Sequence, residues 1–307
     1  MSGDGEPNPT LHRTAAHSGF AAPVAGCAAG ALFRSAKEPR RERIVDVPHR
    51  ESLMIEEDWL ACEDIGALLD HLRKLNRWQG IVFSERKFRL LACAFCRRIW
   101  HLLPDELSRA TVELCEYYVD GLADPQPLWA RGGFSTGVPE HIYDEGTVER
   151  EAYFAARFVG CQMEIVTGPA ACSAEEAAVG AAARFATRAT VLSGEAAEES
   201  ARGQCRIIRD VIGNPFRRAV HNPAYREGAC ATLVRYQLAP LDPSWRTDTA
   251  RLLAGQMYES RDFSAMPILA DALQDAGCSR ADVLDHCRGP GPHVRGCWVV
   301  DLVLGKE

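Results

Sequence analysis

The chain has 307 residues, 47% of them hydrophobic and 25% charged, with a net charge of -7 and a pI near 5.8. That length allows one large or two ordinary domains, and the composition is that of a globular protein with a full core. The acidic balance argues against bulk attraction to nucleic acid, and no apolar run is long enough to suggest a membrane span. Twelve cysteines are scattered along the chain rather than clustered in a short secreted frame, so a reduced cytoplasmic protein is expected.

Residues 1–53 run through Gly, Pro, Ala, His and Arg without a sustained period, and 38–52 is charged and broken by proline. Such a segment buries too little apolar surface to offset its chain entropy, so a disordered extension, or a natural start at Met54, is expected. "VAGC", ending at Cys27, faintly resembles a lipoprotein processing site, but the basic start and strong apolar run of a signal peptide are missing.

From there the text reads as helices. Asp64 can cap 65–75, and Ser84 can cap 85–103, where Phe88, Leu91, Ala92, Phe95, Ile99 and Leu102 form one stripe. Pro104 ends that helix, Asp105 caps 106–120, and Gly121 follows as a stop. Residues 121–146 read as a long loop. A helix resumes at Thr147 and runs to about 166, and Ser173 with Glu176 makes a capping box opening an Ala-rich helix to about Leu192. A further helix spans 195–212 and stops at "GNP". Residues 214–246 are proline-broken. Thr247 can cap 248–260, Ser264 can cap 265–276, Ser279 opens a short helix to Arg288, and "CWVVDLVL" is read as a last helix, since no upstream segment offers it a strand partner. The fold class expected is all-α: an irregular multi-helix bundle or array of about nine helices spanning 54–307, which divides into two subdomains, 54–123 and 147–307, if loop 124–146 separates them.

The chemistry-bearing residues gather in two places. Cys93 and Cys96 form a C-x-x-C pair, but inside the best helix, where a zinc turn or a thioredoxin-type thiol would not sit, so packing with Trp100 is the simpler expectation. Near the C-terminus, His286, Cys287, His293 and Cys297 surround Gly289-Pro290-Gly291-Pro292. Cys93, Cys96, His286, Cys287, His293 and Cys297 are the candidate metal ligands, although their spacing matches no finger pattern. A thiol enzyme, with Cys287 or Cys297 attacking and His286 or His293 as base, needs an orienting group and an oxyanion hole that no motif supplies. The rigid turn with Arg288, His293, Arg295 and Trp298 is the candidate binding patch for an anion or protein partner. The alternative is that its arginines cap helix carbonyls or pair with Asp282, Asp285 and Asp301. Arg86, Lys87, Arg89, Arg97 and Arg98, opposed only by Glu85, read as a solvated helix face.

The blocks "MIEEDWLAC" (54–62), "RKFRLLACAFCRRIWHLLPDELSRATVELCEYYVDGLA" (86–123), "RDVIGNPFR" (209–217) and the tail from "PILADAL" to "VLGKE" (267–307) resemble an expanded family of uncharacterised planctomycete proteins. The resemblance implies a bacterial intracellular protein that starts near Met54, with 134–146 departing from the family's Ala-rich middle. It transfers no catalytic residue. With no P-loop, G-x-S-x-G or H-E-x-x-H, the leading expectation is an interaction or regulatory module without a resident cofactor. The alternatives are a metal-dependent or thiol enzyme using the Cys/His set, and a structural zinc protein without catalysis.

Overall fold

The structure, a computed structural model, describes residues 53–79, 81–132, 143–160, 174–217, 234–235 and 239–306. The expected extension over 1–52, the capping box at Ser173 and most of "FSTGVPEHIYDEG" lie outside those residues. The fold is all-α. Its twelve helices among the described residues, rather than about nine, are α1 (Glu56–Ala61), α2 (Ile65–Gln79), α3 (Glu85–Arg98), α4 (Glu106–Tyr118), α5 (Pro125–Gly132), α6 (Val148–Val159), α7 (Ala174–Leu192), α8 (Ala197–Ile212), α9 (Asp248–Ser260), α10 (Met266–Asp275), α11 (Ala281–Arg288) and α12 (Trp298–Leu304). The pairs Ile81–Val82 (β1) and Val234–Arg235 (β2) align in parallel, Ile81 opposite Val234, as a two-stranded sheet among the described residues. Among the described residues no helix is long and apolar enough to cross a membrane.

The caps read from the sequence act as expected. Asp64 accepts from the N–H of Gly66 at 2.7 Å, Ser84 from Lys87, Asp105 from Ser108 and Thr247 from Ala250, so each supplies an acceptor to orphan first-turn donors. Ser264 does not cap. Its own N–H donates to Asp262, and α10 starts at Met266 with Pro267 in its first turn. The expected loop 121–146 contains α5: Asp124 accepts from the N–H of Gln126, Pro125 presets the first turn, and Leu128 is wholly buried. The unpredicted α1 is six residues long and depends on tertiary contacts. Trp59 is fully buried, and the Arg209 guanidinium of α8 donates to the carbonyls of Trp59 and Cys62 at its end.

The apolar interior falls into two clusters. One runs from Trp59 to Ile212, over α1–α8; the other from Leu241 to Val303, over α9–α12. Helix α3 is the hub of the first and packs against α4, α6, α7 and α8. All nine residues from Phe88 to Cys96 are buried, so it is enclosed rather than striped. Its cations are not a solvated face. Arg86 forms a fork with Asp301 at 2.8 and 2.9 Å, Lys87 reaches Asp301 at 2.6 Å and the carbonyls of Val211 and Gly296, Arg89 pairs with Glu85, Arg97 with Glu116 and Arg98 with Glu195. The correction has a simple cause: apart from Glu85 in the same helix, the partner acids lie on other elements, α4, α12 and the turn before α8.

The two clusters are therefore joined by buried charge. Asp120, just after α4, receives Arg295 at 2.6 Å, Lys306 at 2.9 Å and the Tyr258 hydroxyl at 2.8 Å. The loop between α11 and α12 crosses α3 at Gly296, whose φ is +96° and where an added Cβ would lie 3.0–3.1 Å from Leu90.

Two predictions follow from these contacts. Gly296→Ala combines left-handed strain with overpacking and should lose roughly 2–4 kcal/mol in urea unfolding, whereas Gly277→Ala, also at positive φ but with nearest contact Trp245 Nε1 at 3.8 Å, should lose about 1 kcal/mol. Asp120 makes the second. Burial pushes its carboxyl up, but hydrogen bonds from Arg295, Lys306 and Tyr258 outweigh that and bring it from an ordinary 3.8 down to about 2. A depressed carboxyl stabilises the fold fully above about pH 4 and loses that contribution as pH falls through 2. Asp120→Asn should lose about 3 kcal/mol at pH 7, and denaturation midpoints should show the gap to wild type narrowing by roughly 2 kcal/mol between pH 5 and pH 2.

Candidate metal centre

The C-terminal histidines and one cysteine meet, and they meet a residue that sequence spacing did not nominate. Asp210, in the last turn of α8, is 3% exposed. His293 Nδ1 lies 2.8 Å from its Oδ1, and His286 Nε2 lies 3.1 Å from the same oxygen. His286 Nε2 is also 3.2 Å from Cys297 Sγ. All four donor atoms lie within 4.8 Å of one another. The second oxygen, Oδ2, accepts the backbone N–H of Val294 at 2.9 Å, which fixes the carboxylate and leaves Oδ1 facing the group.

Three elements deliver these donors. Helix α8 ends at Gly213 and presents Asp210 one turn earlier. His286 is on the last turn of α11. The Gly-Pro-Gly-Pro turn, with a cis bond at Gly291–Pro292, brings the chain back so that His293 sits at its exit and Cys297 immediately precedes α12. The two imidazoles lie 4.9 Å apart at 70°, and Trp298 covers His286 at 5.0 Å.

Burial is deep: Cys297 is fully buried, and the side chains of His293 and His286 are 9% and 19% exposed. Burial pushes the Asp210 carboxyl up, yet hydrogen bonds from His286 and His293 outweigh it, so it remains below the usual range. Burial and the neighbouring Asp210 charge push the Cys297 thiol well above its ordinary value, while the N–H groups of Val299 and Val300 pull it partway back. The site therefore presents an anionic carboxylate and a thiol that needs a strong local cation to ionise.

The geometry discriminates between chemistries. In a nucleophilic triad the imidazole faces its nucleophile with one nitrogen and its orienting acid with the other. Here one nitrogen, His286 Nε2, faces both Cys297 Sγ and Asp210 Oδ1. Two nitrogens, a sulfur and an oxygen converge on one small volume, the arrangement of a four-donor metal shell.

The other candidate ligands lie elsewhere. Cys93 and Cys96 are buried in the first cluster, where burial raises the thiols of Cys93 and Cys96, and Cys93 faces the Val112 carbonyl. Cys287 is fully buried beside the centre in the second cluster, its thiol pushed up to about 12 by burial, but it is not among the converging donors. All eight described cysteines are free. Arg288, His293, Arg295 and Trp298 do not share one exposed patch. Arg288 is exposed and pairs with Asp271 and Gln274, Arg295 is buried against Asp120 with its guanidinium 4.3 Å over the Tyr258 ring, and Trp298 is 6% exposed. The partners of both arginines differ from Asp282, Asp285 and Asp301. Asp210 stood in "RDVIGNPFR", one of the blocks that carry the family resemblance, but nothing local marks an acid on a helix end as a ligand.

No protein-family model, no curated protein and no solved structure matches this chain.

Proposed function

We propose that the chain is a metal-stabilised helical binding module, with Asp210, His286, His293 and Cys297 holding one structural zinc ion. The observation that carries this reading is the convergence of His286 Nε2, His293 Nδ1, Cys297 Sγ and Asp210 Oδ1 within 4.8 Å. The donor set, two imidazoles with one thiolate and one carboxylate, suits a borderline-soft tetrahedral ion. Charge supports it as well. Asp210 and a Cys297 thiolate contribute two negative charges in a nearly dry site, and a divalent cation brings the sum to zero.

All four positions are protein donors, Asp210, His293 and Cys297 are nearly dry, and Trp298 packs against His286. A catalytic zinc needs an open position for water or substrate, so this centre fits a structural role. Its donors come from α8 on one side and from the α11–α12 segment on the other, so the ion ties the second apolar cluster to the first. A module held in this way works through its surfaces, which is the binding role favoured by the absence of catalytic motifs.

Purified protein should contain about one zinc per chain by inductively coupled plasma mass spectrometry. Asp210→Ala and Cys297→Ser should bring this near zero and lower Tm by about 10 °C, roughly 3–4 kcal/mol for a domain of this size. Cobalt substitution adds a readout independent of stability. The wild-type protein should show tetrahedral ligand-field bands with a thiolate charge-transfer band that Cys297→Ser removes. Metal-free protein after zinc-supplemented purification, with Tm indifferent to chelator, overturns the proposal.

A further inference from the structure

Beside the centre lies a cleft of about 470 Å³ whose wall includes Arg97 of α3, Glu116 of α4, Arg261 at the end of α9, and His293 and Arg295 of the ligand loop. Its surface is divided between charge and apolar groups, the latter including Leu90, Ala94 and Phe263. We propose that this cleft binds a small amphipathic organic anion: a carboxylate or phosphate carried on a flat apolar body.

Charge is the first argument. Three arginines line the cleft against one carboxylate, Glu116. Arg97 and Arg261 both commit Nε and Nη2 to Glu116, which leaves Nη1 of each uncommitted among the described residues. Glu113 approaches Arg97 only at 3.7 Å and from an exposed position. Arg295 pairs with Asp120, but Asp120 is shared with Arg86 and Lys306, and Arg86 and Lys87 share Asp301. Among the described residues the network around the cleft holds six cations (Arg86, Lys87, Arg97, Arg261, Arg295 and Lys306) and four carboxylates (Glu113, Glu116, Asp120 and Asp301). A positive excess of two in a chain of net charge -7 is a local field suited to an anion.

Unsatisfied donors are the second argument. Among the described residues Arg295 Nε is buried without a partner on a side chain 3% exposed, and His293 Nε2 is likewise partnerless on a side chain 9% exposed. Buried polar groups are ordinarily hydrogen-bonded, and both of these belong to residues of the cleft wall. If zinc occupies Nδ1 of His293, Nε2 carries the ring proton and donates, so one donor of the proposed site rests on the metal reading.

Backbone strain is the third. Arg261 is the only non-glycine residue at positive φ among the described residues, at 61°. A left-handed C-cap is usually glycine or asparagine. Arginine here directs its guanidinium to Glu116 at the cleft, and such outliers cluster at ligand sites. The Arg97 guanidinium carbon lies over the Trp100 ring, 3.9 Å from its centroid, which preorganises its fork at low entropic cost. The volume matches a small organic ligand better than a bare ion.

Isothermal titration of the full-length protein, with zinc content measured on the same sample, tests the proposal. The probes are 1-naphthyl phosphate and 1-naphthoate, with inorganic phosphate as the head alone and 1-naphthalenemethanol as the neutral body. At least one naphthyl anion should bind with Kd below about 1 mM and at least about tenfold more tightly than either control. Which anion binds separates a phosphate from a carboxylate ligand. Arg261→Lys keeps the charge and removes the fork; Ser260→Trp fills the cleft from its exposed rim. Each should weaken binding at least about tenfold with an unchanged circular dichroism spectrum. Absence of binding by both anions, equal binding of the neutral alcohol or of inorganic phosphate, or wild-type affinity in both variants overturns the proposal. Naphthyl-anion binding by a sample without zinc supports the cleft and counts only against the metal centre.

Discussion

Burying a carboxylate in this protein decides which distant parts of the chain must meet. Asp120, Asp210 and Asp301 are each 2–3% exposed in their side chains or residues. An ionised carboxylate out of water is strongly unfavourable unless paired and fully hydrogen-bonded. None of the three is satisfied by its own helix. Asp301 takes Arg86 and Lys87 from more than 200 residues upstream, Asp120 takes Arg295 and Lys306 from the C-terminal segment, and Asp210 takes His286, His293 and the Val294 N–H. Neutralising them therefore docks α9–α12 on α1–α8. Apolar burial supplies the bulk of the driving force within each cluster, and the ion pairs select one docking.

Helix α3 is where these demands overlap. Its apolar residues fill the first cluster, its N-terminal cations reach Asp301, and Leu90 packs beneath Gly296 of the ligand loop. Lys87 alone contacts the α8 C-terminus, the loop carbonyl of Gly296 and α12. The Asp210–His286–His293–Cys297 group begins where that loop leaves α3, so the position of Cys297 and His293 depends on charge pairs made one turn away. The cleft shares this frame. Arg295 belongs to the Asp120 network and to the cleft wall, and His293 belongs to the candidate ligand group and to the same wall.

The centre also illustrates why residue type does not determine chemistry. Cysteine, histidine and aspartate are the members of a thiol triad and of a zinc shell alike. What separates them is which atoms face each other. A relay needs both imidazole nitrogens in series; a metal shell needs lone pairs aimed at one point. His286 Nε2 sees sulfur and carboxylate together, and Cys297 is sealed from solvent, so convergence outweighs relay.

Much of the fold was legible in the residues themselves. Cap acceptors at Asp64, Ser84, Asp105 and Thr247 and the stop at "GNP" act within a turn or two, and local hydrogen bonding decides them; the expected single helix 85–103 instead ends at Arg98, and a 3-10 turn covers Trp100–Leu102. The helix α5 carried a local signal too, Asp124-Pro125, but it was masked by the glycines around it. The pair Cys93/Cys96 reads as packing because it stands inside the helix rather than in a turn, its thiols about 60° apart beside the apolar stripe, and in the structure both are buried in the first apolar cluster. Tertiary structure decided the rest. Whether α3 cations face water, whether Arg288 and Arg295 share a surface, and whether Asp210 joins His286, His293 and Cys297 all turn on contacts between different elements, from 14 residues apart for Arg288–Gln274 to 215 for Arg86–Asp301. Charge pairing and ligand convergence depend on distance in space, and one-dimensional spacing carries that information only where a single turn or helix encloses all the partners.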